Sequence, residues 1–356
     1  MPTRPLLNNY KPWLRLPMPP TLASEFRCQA IAPFDLPYTN QASAWAAQMR
    51  WTQGYPIAPT FVAQPLWRLS THGFPGLNSD PHFDLAQLER QLEAHQLAYL
   101  ENTVGHVAVD SVEQLLDHTP WLNDRQLLPQ ALGFGLYGPL SLGLTLIDDQ
   151  ERPLLADQRL REVLTQHLHL RIGWLARELR IHDIQGWVCL IEPFWNAQAH
   201  PFSSISQAEA YSLLAETIQH SPIACGIAPT GSAVDWPLLI NSGMRVLVCS
   251  KEQRQDLLAC GKGINDYLEN GGAIIWECLP SDPAQLAEIQ VSDVVNEWTE
   301  LLREALDHDI LNSRILDGSL LTIAHGLAQH EPSHADHALG LLAEVSRVIR
   351  THYKLQ

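Results

Sequence analysis

Basic residues are scarce in this chain. Its 356 residues carry 23 Lys and Arg against 39 Asp and Glu, a formal charge of −16 with histidine neutral. A surface of that sign repels phosphate backbones, and no Lys/Arg-rich run is present, so nucleic acid is excluded as an expected partner. The acidic excess reads as a solvated surface that favours solubility. Cysteine is sparse and poorly spaced for crosslinks: Cys28, Cys189, Cys225, Cys249, Cys260 and Cys278 form no Cys-x-x-Cys pair. Most lie inside apolar runs, the setting of buried reduced thiols, which excludes a disulfide frame and a zinc knuckle. No apolar run approaches the ~18–20 residues of a membrane span. The amino terminus, Met-Pro-Thr-Arg-Pro-Leu, lacks the apolar core of a signal peptide. No membrane association and a cytoplasmic location are therefore expected.

What the chain has in quantity is apolar material, 46% of its residues, enough for a large core. Short β-rich runs alternate with longer segments of helical period. The predicted strands are 28–34, 57–64, 131–137, 186–192, 223–228, 245–249, 272–279 and 320–324. Most are almost uniformly apolar, as expected of parallel strands covered on both faces. Between them, Asp157 is a plausible cap for a helix whose apolar stripe runs Leu160, Val163, Leu164, Leu168, Ile172, Leu175 and Leu179. A second helix starts near Ser292, with Val294, Val295, Trp298, Leu301 and Leu302 on its apolar face. The last begins with Ser333 and Asp336 in capping-box spacing and buries Ala338, Leu341, Leu342, Val345 and Ile349.

Eight strand–helix alternations in this length predict an α/β fold, a (β/α)8 TIM barrel, over an open doubly wound sheet. Residues 1–27, rich in proline, are expected to form an amino-terminal arm. Residues 28–356 then make a single barrel domain, with 65–130 as an insertion or lid after strand two that contains a helical stretch over 85–100.

Gly133-x-Gly135-x-x-Gly138 matches the dinucleotide fingerprint as a string. Pro139 follows it, and no second strand with an acidic end arrives about 20 residues on, so a nucleotide-dependent oxidoreductase is the weakest reading. Close backbone approach at a strand end accounts for the glycines better.

Several segments carry a resemblance to a known family: Gly138-Pro139-Leu-Ser-Leu, the Asp157-led helix, Ile191-Glu192-Pro193, Val234-Asp235-Trp236-Pro-Leu-Leu and Gly271-Gly-Ala-Ile-Ile-Trp276-x-x-x-Pro280. Leu36-Pro37-Tyr38-Thr39 adds a first-strand segment. In order and spacing they resemble the superfamily of cobalamin-independent methionine synthase and uroporphyrinogen decarboxylase, most closely its small methionine-synthase-like members. The resemblance implies a (β/α)8 barrel and methyl transfer to a thiol held as thiolate on zinc. It also places the family's zinc ligands at positions that here hold Ala228, Thr230, Ser250 and His325. Only His325 can ligate, and one ligand does not make a four-coordinate site. The family's Ser after the first strand is replaced by Asp35, and the Asp of its Asp-Glu-Pro by Ile191, which argues against homocysteine as substrate.

The polar set expected at the barrel mouth is therefore different. Glu192, His325 and Asp35 are the candidate catalytic groups, His325 as proton shuttle and the carboxyls as acid or base. Tyr137, Trp195, Thr230, Ser250 and Glu277 are candidate substrate-binding residues, with Lys251 beside them. Trp195 and Trp236 are each offered as stacking surfaces or core. His334 and His337, one helical turn apart, share a face, whereas Pro332 and Ser333 break the register to His330. These histidines read as an exposed helix start and not as a metal site.

Two function classes follow. One is a methyltransferase-type, one-carbon enzyme acting on a small molecule without zinc, with folate or a corrinoid as the cofactor that class implies; a decarboxylase-like proton transfer is its variant. The other is a non-catalytic relative that binds a small molecule or protein partner in the same cavity. A homo-oligomer is compatible with either.

Overall fold

A computed structural model describes residues 26–52, 54–60, 65–77, 81–103, 129–200 and 203–355. The expected arm, save residues 26 and 27, residues 61–64 of the second predicted strand, and residues 78–80 and 104–128 of the expected insertion lie outside the described residues.

Among the described residues seven parallel strands form one curled sheet: β1 (Gln29–Ala30), β2 (Leu132–Tyr137), β3 (Gly186–Glu192), β4 (Ala224–Pro229), β5 (Val246–Cys249), β6 (Ala273–Leu279) and β7 (Ser319–Ile323). Their order is β1-β7-β6-β5-β4-β3-β2, with neighbours pairing in parallel throughout. The strand predicted over 57–64 departs from expectation. Its described part makes isolated parallel bridges, Ile57 to Gly133 on β2 and Asp35 to Thr60 beyond β1, in place of a ladder. The Ala58 N–H donates to the Gly133 carbonyl at 2.7 Å, and the Thr60 N–H donates to that of Phe34 at 3.3 Å. Pro56 and Pro59 remove ladder donors on both sides of Ala58, which accounts for bridges where a strand was expected. β1 is likewise cut short, between Cys28 at φ 56° and Pro33.

Side chains leave each strand alternately toward two cores. Trp187 and Cys189 of β3, Ala224 of β4, Val246 and Val248 of β5, Ala273 and Ile275 of β6 and Leu320 of β7 pack in an inner cluster with Phe26, Tyr55 and Ile57. Their neighbours Val188, Leu190, Leu247, Ile274 and Leu321 join the outer core, which packs under the helices. The glycine run belongs to this packing. A Cβ on Gly133 would run into Trp187 and Ile57, and one on Gly138 into the Glu192 carboxylate. Neither glycine has a positive φ, so it is space and not backbone freedom that both supply.

Helices start where sequence chemistry directs. Asp157 accepts the Arg159 N–H and opens Gln158–Ile181, whose expected stripe is buried throughout. Leu85–Glu101 matches the predicted helical stretch, capped by Asp84. Val291–Asp307 starts slightly earlier than predicted, from a capping box of Gln290 and Asp293. The last helix, Pro332–His352, is not opened by Ser333: its N-cap is Glu331, with proline in the first turn. Asp336 instead accepts from the Trp51 indole at 3.0 Å and pairs with Arg50, which removes it from the expected capping box. The six cysteines are unpaired, Cys260 and Cys278 half-buried and the other four buried. Among the described residues no helix is long and apolar enough to cross a membrane.

Candidate functional site

A cavity of about 960 Å³ opens at the carboxyl ends of the strands, above the inner core. Parallel α/β sheets gather functional loops at this end. Asp35, Tyr137, Thr230, Ser250, Glu277 and His325 all line it. Glu192, Trp195 and Lys251 do not.

Glu192 ends β3 with the parity of Val188 and Leu190, so its side chain points outward, under the helices. It is fully buried. Oε1 accepts the Leu140 N–H at 3.0 Å and Oε2 the Ser141 N–H at 2.7 Å, clamping the first turn of the Pro139–Thr145 helix. The Ser141 hydroxyl also bonds to it and in turn accepts the Phe194 N–H at 3.0 Å. Burial pushes the Glu192 carboxyl up to about 7, against the opposing effect of these donors. Its place makes it a structural clamp and not a group facing a ligand in the cavity.

Trp195 is also buried: its indole N–H donates to the Ala233 carbonyl at 3.1 Å and its ring meets Tyr211 edge-on at 5.2 Å. Trp236 is core as well. Neither offers a stacking face to the cavity. Lys251 points into solvent and pairs with Glu297 at 2.7 Å.

On the cavity wall, the Thr230 hydroxyl donates to the Pro193 carbonyl at 2.7 Å and fixes the β3 and β4 ends together. Gln253, buried, does the same for the next pair. Its Nε2 donates to the carbonyls of Pro229 and Gly231 at 2.8 and 2.7 Å, while Oε1 accepts the Ser250 N–H at 3.0 Å.

The chemistry concentrates around His325. It sits in the turn after β7 at φ 56°, followed by Gly326 at φ 77°, a left-handed pair that few residue types adopt readily. Glu277 of β6 shares the inward parity of Ala273 and Ile275. Burial raises its carboxyl above the usual range, and His325 opposes the rise both by charge and through its backbone N–H. Glu277 Oε2 is buried with no hydrogen-bond partner. Glu252, at the rim, is held below the usual range by its own backbone N–H and the Ser250 hydroxyl, with His325 also favouring its charge. Asp35 lies across the turn, accepting the Leu327 N–H at 3.3 Å. A Cβ on Gly326 would occupy its space. Burial raises the Asp35 carboxyl, and burial together with the nearby Asp35 charge raises the Tyr137 hydroxyl.

The donor set does not fit zinc. Ala228, Thr230 and Ser250 offer no thiolate or imidazole beside His325, and among the described residues no three His, Cys, Asp or Glu side chains converge on a metal position. The later histidines pair differently from expectation. His330 and His334 bring their rings within 4.9 Å despite Pro332, and His334 Nε2 bonds the Ser281 carbonyl at 2.9 Å.

Glu252, Gln253 and the lining residue Thr322 were not singled out from sequence. Thr322 was accessible to the parity argument, two residues after inward-facing Leu320. Glu252 follows a strand end by three residues, a weak signal. Nothing in the sequence marks an amide in a loop as a three-way staple.

No protein-family profile matches the chain, and no curated protein does. Among solved structures it is similar to a methyltransferase from Methanosarcina mazei, at 12% identity and TM-score 0.41, over 66% of this chain and 66% of that one. The chain thus spans about two thirds of that protein. It is similar to a broad-specificity endoglucanase from Clostridium acetobutylicum, at 11% identity and TM-score 0.41 over 91% and 96%. An arabinopyranosidase from Geobacillus stearothermophilus follows at 10% and TM-score 0.38, over 91% and 77%. Nothing about activity carries over from likenesses this distant.

Proposed function

We propose that the chain is a small-molecule enzyme on a closed (β/α)8 barrel, with acid–base chemistry at the mouth carried by His325 and Glu277. Residues 57–60 support the closure, because they bridge to both edges of the sheet. So does an inner core to which the strands contribute alternate residues. The observation that carries the functional reading is Glu277: an inward carboxyl with an unpartnered oxygen, raised by burial, beside the imidazole of His325. A carboxyl that keeps its proton to higher pH than in water, next to an imidazole, makes an acid–base pair. Asp35, with Tyr137 near it, supplies a second carboxyl on the other side of the same turn.

Methyl transfer is the reaction implied by the sequence resemblance. In this site the acceptor is an oxygen or nitrogen nucleophile in place of a zinc-held thiolate. As it attacks the methyl carbon, His325 takes its proton and the donor leaves with the bonding electron pair. Glu192 takes no part beyond holding the wall. The vacated metal-ligand positions at Ala228, Thr230 and Ser250 favour one other reading, a binding protein without catalysis.

Thermal-shift screening against small methylated thiols and amines, folates and corrinoids tests the cavity. A ligand shift that survives Ala228→Trp, which fills the lumen, overturns the site. Once turnover is found, His325→Ala and Glu277→Gln should each lower kcat by about 100-fold or more. Full activity in both removes them from the mechanism, stoichiometric zinc in purified protein overturns the metal-free chemistry, and binding without turnover assigns the binding reading.

A further inference from the structure

The charge of the cavity narrows what enters it. Three acidic side chains, Asp35, Glu252 and Glu277, line it, and among the described lining residues none is lysine or arginine. Among the described lining residues His325 is the one able to carry positive charge, and both Glu277 and Glu252 interact with it electrostatically. An anionic ligand would add its charge to that set with no fixed cation to meet it, a penalty enlarged by the low-dielectric wall.

Three helix amino termini outside the lining, a usual alternative anion site, already hold carboxylates, whereas the six-residue helix Leu66–Thr71, whose first residues line the cavity, has no side-chain cap. Glu192 occupies the start of Pro139–Thr145. Asp235 and Asp282 cap the helices Trp236–Asn241 and Pro283–Glu288. Meanwhile the uncharged part of the wall mixes apolar and aromatic residues such as Phe34, Trp67, Ile191 and Ile275 with neutral polar ones such as Thr230 and Ser250, and Glu277 Oε2 is a buried acceptor without a donor. A buried acceptor left unpaired carries a cost that a ligand's donor removes.

We propose that the cavity takes a ligand bearing a protonated nitrogen on an apolar body, with no anionic group, and that Glu277 receives the nitrogen. This rests on the cavity being the functional site. It separates substrate classes within that reading: polyanions such as folates and porphyrin precursors are rejected, and amines are admitted.

Three probes of one shape test it by calorimetry on the purified chain: benzylamine, benzyl alcohol and benzoate. Benzylamine should bind about tenfold or more tightly than benzyl alcohol, with benzoate weakest. Glu277→Gln, close in shape to the native side chain, should erase the preference for the amine while keeping the alcohol's affinity. Asp35→Asn serves as a second variant if the first lowers the melting temperature. Benzoate binding as tightly as benzylamine, or a preference unchanged in both variants, overturns the ligand class and leaves the cavity reading standing. Binding of none of the three overturns both.

Discussion

The Glu192 carboxylate reaches back 51 residues to accept the backbone N–H of Ser141 at 2.7 Å. With the Leu140 N–H on its other oxygen, it joins the end of β3 to the helix that leaves β2. Glutamine at this position keeps one acceptor and turns an amide N–H₂ toward a backbone N–H. Glu192→Gln should therefore cost about 2 kcal/mol, the penalty of one buried donor left unpaired. A urea midpoint equal to wild type would show that the clamp contributes nothing.

The same residue predicts a pH dependence. Its carboxyl titrates at about 7 in the fold against 4.5 for the ordinary side chain. Between those values the native state holds a proton that the unfolded chain has lost. Stability from this group is full below about 4.5 and declines as pH rises through about 7, by up to about 3 kcal/mol. Asp35 and Glu277 are also raised, so they act in the same direction. Urea titrations at about pH 5 and about pH 8, in wild type and Glu192→Gln, isolate the contribution. An equal pH slope in both proteins would remove Glu192 from it.

Gly138 lends the clamp its space, since a Cβ there would meet the Glu192 carboxylate. Gly138→Ala should destabilise by about 1–3 kcal/mol through overpacking. Combined with Glu192→Ala, which empties that space, the loss should be less than additive by about 0.5 kcal/mol or more. Additive melting data would place the strain elsewhere.

Gln253 offers a test at the cavity wall. Gln253→Ala removes two hydrogen bonds to carbonyls and one from the Ser250 N–H. A loss of about 2–3 kcal/mol is expected in chemical denaturation. Probe binding in the cavity should weaken with it, because Ser250 and Gly231 line the same wall. Unchanged affinity would separate the staple from the site.

Much of this was legible in the chain, and the rest failed for identifiable reasons. The alternation of apolar runs and amphipathic stripes located the seven strands of the sheet, and the Asp157-led helix formed with its stripe buried. The 57–64 run read as a strand by composition, yet Pro56 and Pro59 deny its described part, residues 57–60, a ladder. At the site, strand parity was the decisive signal. Counting by twos from Trp187 puts Ile191 inward and Glu192 outward, while counting from Ala273 puts Glu277 inward. A polar residue at a strand end is therefore a weaker guide than the face it occupies. Trp195 shows the other limit. Its burial depends on Tyr211 and Ala233, which no local pattern brings beside it.

Below the cavity the lumen is packed. Trp187 fills the space left by Gly133, and Phe26 and Tyr55 bring their rings within 5.0 Å at the far end. Among the described residues the chamber is therefore closed at its inner end by packed side chains. The volume limits only the part of a molecule that is inserted; a long tail can stay outside while its head is held.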